Sequence, residues 1–120
     1  MAVTTGKNST TQKDFLLTDP DVDEVGVDDV FGGSAVIHGI FLENTHGSTA
    51  AHFKAYDNAA GVPGTTAPDI MIAIPGDKEH AWFIIDGIFF TNFSYACVQE
   101  DGTSGTTAPA AAVKLHAVVR

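Results

Sequence analysis

The chain has 120 residues, of which 44% are apolar and 18% charged, and its fifteen acidic and six basic side chains give a formal net charge of −9. This length provides one domain with a modest core, and the near-average apolar fraction excludes a chain that is disordered throughout. The small number of basic residues argues against nucleic acid or an anionic membrane surface as the main partner.

The first third of the chain differs from the rest. Residues 1–13 are small and polar, and residues 14–29 hold seven acids and no base. We predict an extended acidic N-terminal arm over residues 1–33, followed by a β-sandwich domain over residues 34–120. Because a purely solvated tail rarely carries many apolar residues, we expect the arm to lie on its own sandwich or on a neighbouring subunit. The apolar residues predicted to bind a partner are Phe15, Leu16, Leu17, Val22, Val25, Val27 and Phe31.

The remainder of the chain has the composition of a sheet, since Val, Ile and Thr together far outnumber Leu. Short apolar runs predict seven strands, at residues 36–42, 51–56, 70–74, 82–85, 88–90, 93–98 and 113–119. The last run alternates, as half-buried strands do, whereas residues 70–74 are apolar throughout and predict a strand covered on both faces. The pair Asp86-Gly87 is either a tight turn or a bulge. The fold class is therefore all-β, an antiparallel β-sandwich of jelly-roll or Ig-like type with about seven to eight strands.

One pentapeptide occurs twice. Gly64-Thr65-Thr66-Ala67-Pro68 returns as Gly105-Thr106-Thr107-Ala108-Pro109, 41 residues later. We interpret the repeat as one hairpin design used twice, with Gly providing positive φ and Pro ending each loop. The alternative is that the two loops lie together at one end of the sandwich and form a contact surface.

Metal-binding patterns are incomplete. Asp19, Asp21 and Asp23 begin like a calcium loop, but Glu24 stands where that loop requires Gly and Val30 where it requires Glu. We predict a solvated acidic segment, with an irregular calcium site as the alternative. The five histidines share no ligand spacing, although His46 and His52 flank one loop and could meet there. No metal or cofactor is predicted.

Catalytic patterns are equally weak, and we predict that the chain is not an enzyme. No serine has the context of a nucleophile elbow, and the single cysteine, Cys97, lies in an apolar stretch typical of a buried, unreactive thiol. Asp86 is the one acid within an apolar strand region and is predicted to cap Gly87 in a turn. A buried Asp86 beside a histidine would instead favour an enzyme.

The order of these features is more informative than any one of them. In chain order they are Val30-Phe31-Gly32-Gly33, Glu43-Asn44-Thr45, Phe53-Lys54-Ala55-Tyr56-Asp57, Gly64-Thr65-Thr66-Ala67-Pro68-Asp69-Ile70, Asp86-Gly87-Ile88-Phe89-Phe90, Ser94-Tyr95-Ala96 and Gly105-Thr106-Thr107-Ala108-Pro109, before a terminal alternating strand. Over roughly residues 30–120 the chain resembles small β-sandwich virion structural proteins of tailed bacteriophages, of the capsid decoration or cement kind.

The resemblance implies a structural protein that binds the outer phage shell and reinforces contacts between capsid subunits. Its expected partners are the major capsid protein and further copies of itself, as a homotrimer, with no nucleic acid and no membrane. Its expected location is the capsid surface of the virion, after synthesis in the host cytoplasm. The alternative is a tail, fibre or carbohydrate-binding module in which exposed aromatics such as Tyr56, Trp82 or Tyr95 stack on sugar rings.

Overall fold

A computed structural model describes residues 3–6 and 15–120, which form eight strands and no helix. The strands are β1 (Thr4–Gly6), β2 (Phe15–Val22), β3 (Ala35–Asn44), β4 (Ala51–Asp57), β5 (Ile70–Ile74), β6 (Glu79–Phe90), β7 (Phe93–Val98) and β8 (Val113–Val119). Within these residues there is accordingly no helix that could cross a membrane.

The strands form two antiparallel sheets. The larger has the order β1-β2-β8-β3-β6, and the smaller has the order β5-β4-β7. Their inner faces enclose one core, in which the Tyr95 ring lies within ring-contact distance of both Phe53 and Phe93. Burial of each such ring stabilises the fold by about 1.5–3 kcal/mol. The predicted all-β antiparallel sandwich is confirmed.

The two apolar runs at residues 82–85 and 88–90 belong to one strand, β6, and Asp86-Gly87 is not a turn between two strands. Ile37 of β3 pairs with Ile88, whereas Gly39, two residues later, pairs with Phe83. The register shift means that β6 carries extra residues here, which is the bulge alternative. Gly87 adopts a φ of 76°, which glycine reaches without strain.

The continuous apolar sequence of strand β5 predicted cover on both faces, and this prediction is wrong. Ile72 and Ile74 are buried, but Met71 is 42% exposed and Ala73 is exposed as well. The inner face of β5 packs on the core, and its outer face is left largely uncovered by the described residues. Its apolar outer positions therefore belong to the surface.

The described part of the N-terminal segment lies on its own sandwich. Strand β2 pairs with both β1 and β8, and its Leu17 is buried in the core. The chain then crosses to the small sheet, where the Val27 N–H donates to the Tyr95 carbonyl at 2.9 Å and the Tyr95 N–H donates back at 3.2 Å. The segment 1–33 thus includes a strand of the sandwich itself. Residues 1–2 and 7–14 of the predicted arm lie outside the described residues.

The repeated pentapeptides are not two copies of one hairpin. The first lies in the loop of the β4–β5 hairpin, whereas the second lies between β7 and β8, which belong to different sheets. Because β4 and β7 are antiparallel, the two loops leave the small sheet at opposite ends and not at one end. They nevertheless meet, since the Gly64 N–H donates to the Thr103 carbonyl at 2.9 Å.

The loops lie over the outer face of the small sheet. Gly61, in the first loop, packs directly on the ring of Tyr56, and the Gly102 N–H, in the second, donates to the Met71 sulfur at 3.2 Å. Tyr56 and Lys54 alternate along β4 with the core residues and are nevertheless completely buried. The paired loops therefore act as a cover for this face.

Candidate interaction surface

The seven residues predicted to bind a partner do not form one surface. Leu17 and Val22 are 0% and 1% exposed and belong to the chain's own core. Val27 and Phe31 are partly buried against that core. Leu16 and Val25, at 40% and 62% exposure, are accessible to a partner. Phe15 lies in β2, with a side chain outside the described part of the structure.

The acidic segment was predicted to be solvated, but the structure shows that it is solvated only in part. The Asp19 carboxylate is fully buried, where its Oδ2 accepts a hydrogen bond from the Tyr95 hydroxyl at 2.9 Å and its Oδ1 accepts one from the Asp21 N–H at 3.0 Å. Asp23 Oδ1 accepts the N–H of Val25 at 2.9 Å. The first and third aspartates of the calcium-like pattern thus bind protein donors, and no group of three potential metal ligands converges within residues 3–6 and 15–120.

The two histidines that flank one loop have separate partners. His46 Nδ1 accepts the N–H groups of Ser48 and Thr49 at 3.2 and 2.9 Å, and so organises the turn after β3. His52 Nδ1 lies 2.8 Å from the Gln99 carbonyl. His46 thus serves its own turn, whereas His52, in β4, contacts the residue that follows β7.

Neither candidate nucleophile nor candidate acid has a catalytic setting. Cys97 is buried, as predicted, and burial raises the pKa of its thiol to about 12, so the thiolate is scarce at neutral pH. Asp86 is exposed in the β6 bulge. The enzyme alternative required a buried Asp86, and this requirement is not met.

The sugar-stacking alternative loses two of its three aromatic residues. Tyr56 and Tyr95 are both 0% exposed, and burial raises the pKa of each hydroxyl above its ordinary value. Trp82 is partly buried against the core. The tyrosines cannot present a ring face to a ligand from these positions.

The largest exposed apolar side chains lie elsewhere, on β6. Phe83, Ile85 and Phe89 are 70%, 96% and 62% exposed, and Phe41 of the neighbouring strand packs edge-to-face against Phe83 with ring centroids 5.1 Å apart. We refer to Phe41, Phe83, Ile85 and Phe89 as the β6 patch. The sequence indicated it only indirectly: residues 82–90 are apolar at nearly every position, and one face of β6 has no layer of the described chain over it.

The β6 patch lies at a free sheet edge. β6 is the last strand of the large sheet, and β5 is an edge strand of the small one. A groove of about 350 Å³ adjoins the two edges, lined by Ile70, Met71, Ile72, Ala73, His80 and Trp82. The patch and this groove share β6, so one flank of the sandwich is largely apolar.

A second exposed surface is acidic. Asp21, Glu24 and Asp28 are exposed around Val25. The segment that carries them is fixed to β7 by backbone hydrogen bonds, including one of 2.8 Å from the Cys97 N–H to the Asp23 carbonyl. The charges are thus held on a rigid support.

Comparison of the chain with family models, with curated proteins and with solved structures finds no match.

Proposed function

We propose that this chain is a capsid decoration protein of a tailed bacteriophage, which binds the outer shell and reinforces contacts between capsid subunits. The observation that carries the proposal is the exposed β6 patch, which indicates that the chain assembles with other protein chains. Phe83, Ile85 and Phe89 expose on the order of 400 Å² of apolar surface. Apolar exposure of this size along one strand is commonly a site of protein contact.

The order of turn and strand signals over residues 30–120 supports the virion role, because it resembles that of small phage decoration proteins. The fold is compatible with that role as well. A decoration protein must keep its shape while it bridges subunits, and this sandwich has a continuous core that joins both sheets. The chain would be made in the host cytoplasm and would act on the capsid surface.

We assign the contact with the shell to the acidic surface around Val25. Asp21, Glu24 and Asp28 offer negative charge to a basic patch of the major capsid protein, and Val25 provides apolar contact at their centre. Complementary charge speeds encounter and fixes orientation. The backbone bonds to β7 hold this surface in place before binding, which reduces the entropy lost on association.

The test is the occupancy of this chain on particles of the phage that encodes it, after the chain has been removed and added back. Val25→Lys places a positive charge at the centre of the acidic surface, at a residue that is 62% exposed, so the fold tolerates the change. We expect its occupancy to fall at least tenfold. Val62→Lys, the same change at a valine that is 51% exposed in another loop, is the matched control.

The control variant is expected to bind like the wild-type chain, and wild-type binding is expected to weaken as salt is added, because exposed charges are screened. Wild-type occupancy by the Val25→Lys variant would overturn the assignment of the shell contact. Failure of the wild-type chain to bind shells, or binding to the tail alone, would overturn the decoration role.

A further inference from the structure

We propose that β6 pairs antiparallel with β6 of a second copy of this chain, in a twofold dimer centred on Phe83. The inference deepens the proposed function, since it names the occupant of the β6 patch on which that function rests. It also differs from the trimer expected from the sequence, because pairing of one edge with itself about a twofold axis closes at two copies.

The edge of β6 is unusually open to such pairing. Edge strands are normally protected by charged side chains, prolines or a covering segment, because their unpaired N–H and C=O groups attract other strands. The twelve residues of β6 contain no proline and no Lys or Arg, and Asp86 is the only acid after the first residue. Among the described residues no further strand pairs with its outer edge.

The distribution of charge favours a second copy over an acidic or a strongly basic partner. Two chains of net charge −9 repel one another wherever their acids meet. Residues 80–99 include Asp86 as their single acid and no Lys or Arg. The β6 flank is therefore a place where two copies can approach with little repulsion, and it offers a basic partner few charges to bind.

One register gives complementary side-chain pairs on either side of Phe83. With Phe83 opposite itself, His80 of each copy lies beside the bulge that carries Asp86 of the other, which places a donor near each carboxylate. Ala81 then lies opposite Ile85, so that a small side chain accommodates a large one. Directly opposed residues in antiparallel strands interact through such pairs. A register shifted by one residue about Trp82 would instead place Glu79 opposite Ile85.

The pairing also buries apolar area. A specific interface buries about 800 Å² on each partner. Phe83 and Ile85, in the paired segment, supply roughly a third of this, and the adjoining groove with Met71 and Trp82 extends the same flank.

The first test is the mass of the full-length chain by sedimentation equilibrium from 1 to 200 µM. We expect a reversible dimer of about 25 kDa, twice the chain mass of 12.6 kDa. Ile85→Lys should raise the dimer dissociation constant at least tenfold. Because Ile85 is 96% exposed, the folded monomer tolerates this change. Val62→Lys, at a valine outside the patch, should dimerise like the wild-type chain.

Two further results would contradict the pairing. A wild-type chain that remains monomeric throughout, or that forms a trimer, would overturn it. A dimer that persists in Ile85→Lys but is lost in Val25→Lys would place the interface on the acidic surface instead.

The second test addresses the register. Phe83→Cys places two thiols opposite one another at the centre, and directly opposed residues of antiparallel strands have Cα atoms about 4.5–5.5 Å apart, within the range of a disulfide. We expect mild oxidation to give a covalent dimer. The native Cys97 is buried and does not compete. Val62→Cys should remain monomeric on the same gel, and equal cross-linking of both variants would overturn the register.

Failure of this inference is distinguishable from failure of the proposed function. Sedimentation and cross-linking use the isolated chain, whereas shell binding is read from particles and from Val25→Lys. A monomeric chain that still binds shells would overturn the dimer alone. A dimer that binds no shell would overturn the decoration role alone.

Discussion

Asp19 of β2 and Tyr95 of β7 share a hydrogen bond in the interior of the sandwich. The Tyr95 hydroxyl donates to Asp19 Oδ2 at 2.9 Å across 76 residues of sequence, and both side chains are 0% exposed. The bond joins the large sheet to the small one and so connects the N-terminal strand to the rest of the fold. A buried carboxylate without such donors is costly.

We expect Tyr95→Phe to lower the free energy of unfolding by about 1.5–3 kcal/mol, because it leaves the buried Asp19 Oδ2 without its donor. Urea titration followed by circular dichroism measures the change. Tyr56→Phe is the matched control, because the Tyr56 hydroxyl is equally buried and has no hydrogen-bond partner among the described residues. Its removal should leave stability unchanged or slightly increased, and equal losses in the two variants would contradict this account.

Lys54 should be replaceable with a gain in stability. Its Nζ is buried without a hydrogen-bond partner among the described residues, and burial lowers its pKa, opposed in part by the charges of Glu100 and Asp101. We expect Lys54→Met, which retains the apolar length of the side chain, to raise the free energy of unfolding by about 1 kcal/mol or more at pH 7.

The same group has a defined pH dependence. Because the Lys54 pKa is lower in the folded than in the unfolded chain, the unfolded chain binds more protons between the lowered pKa and 10.5. Wild-type stability therefore gains from Lys54 as the pH rises through this range. The advantage of Lys54→Met should shrink over the same range, as measured by urea titration at successive pH values. An advantage that grows with pH would contradict the burial of an uncompensated ammonium group.

Cys97 contributes stability that is lost at alkaline pH. Burial raises its pKa from 9.0 to about 12, so above pH 9 the unfolded thiol releases a proton that the folded one retains. The unfolding free energy of the wild-type chain relative to Cys97→Ala should be constant below pH 9 and fall above it. Native Cys97 should also react with iodoacetamide at least a hundredfold more slowly than in urea. Similar rates in the two states would show that the thiol is accessible.

Two glycines of positive φ test the bulge of β6. A Cβ on Gly87 would lie 2.3 Å from Val36 Cγ1, whereas one on Gly102 would meet nothing within 4 Å. Gly102→Ala should therefore cost only the backbone strain, about 1–2 kcal/mol. Gly87→Ala should cost clearly more, because strain and overlap add. Thermal unfolding of both variants measures the difference, and equal costs would place Gly87 outside a packed bulge.

The strands could be predicted from sequence wherever period-two alternation was present. Val113–Val119 alternates and is β8 with the predicted bounds, since one face is solvated and the other is core. Strand β5 shows the limit of this argument. Its continuous apolar run has no alternation to read, and whether its outer face is covered depends on which distant segments pack over it, which the local sequence does not encode.

Buried polar residues were the hardest to predict. Asp19 lies in a run of acids that favoured a solvated segment, and only the position of Tyr95 in the folded chain explains its burial. Lys54 and Tyr56 are buried by two loops that begin at opposite ends of the small sheet. These loops meet through residues that are far apart in the sequence, so local patterns do not predict the burial. The β6 patch was missed for the related reason that exposure, unlike hydrophobicity, is decided by what the rest of the chain covers.

The most direct test of the proposed decoration role is a reconstruction of tailed-phage particles assembled in the presence of this chain, at a resolution that resolves strands. We expect copies of the sandwich at symmetric positions on the outer shell, with the acidic surface around Val25 facing the major capsid protein. Density for the chain on the tail, or particles that lack the chain entirely, would contradict this role.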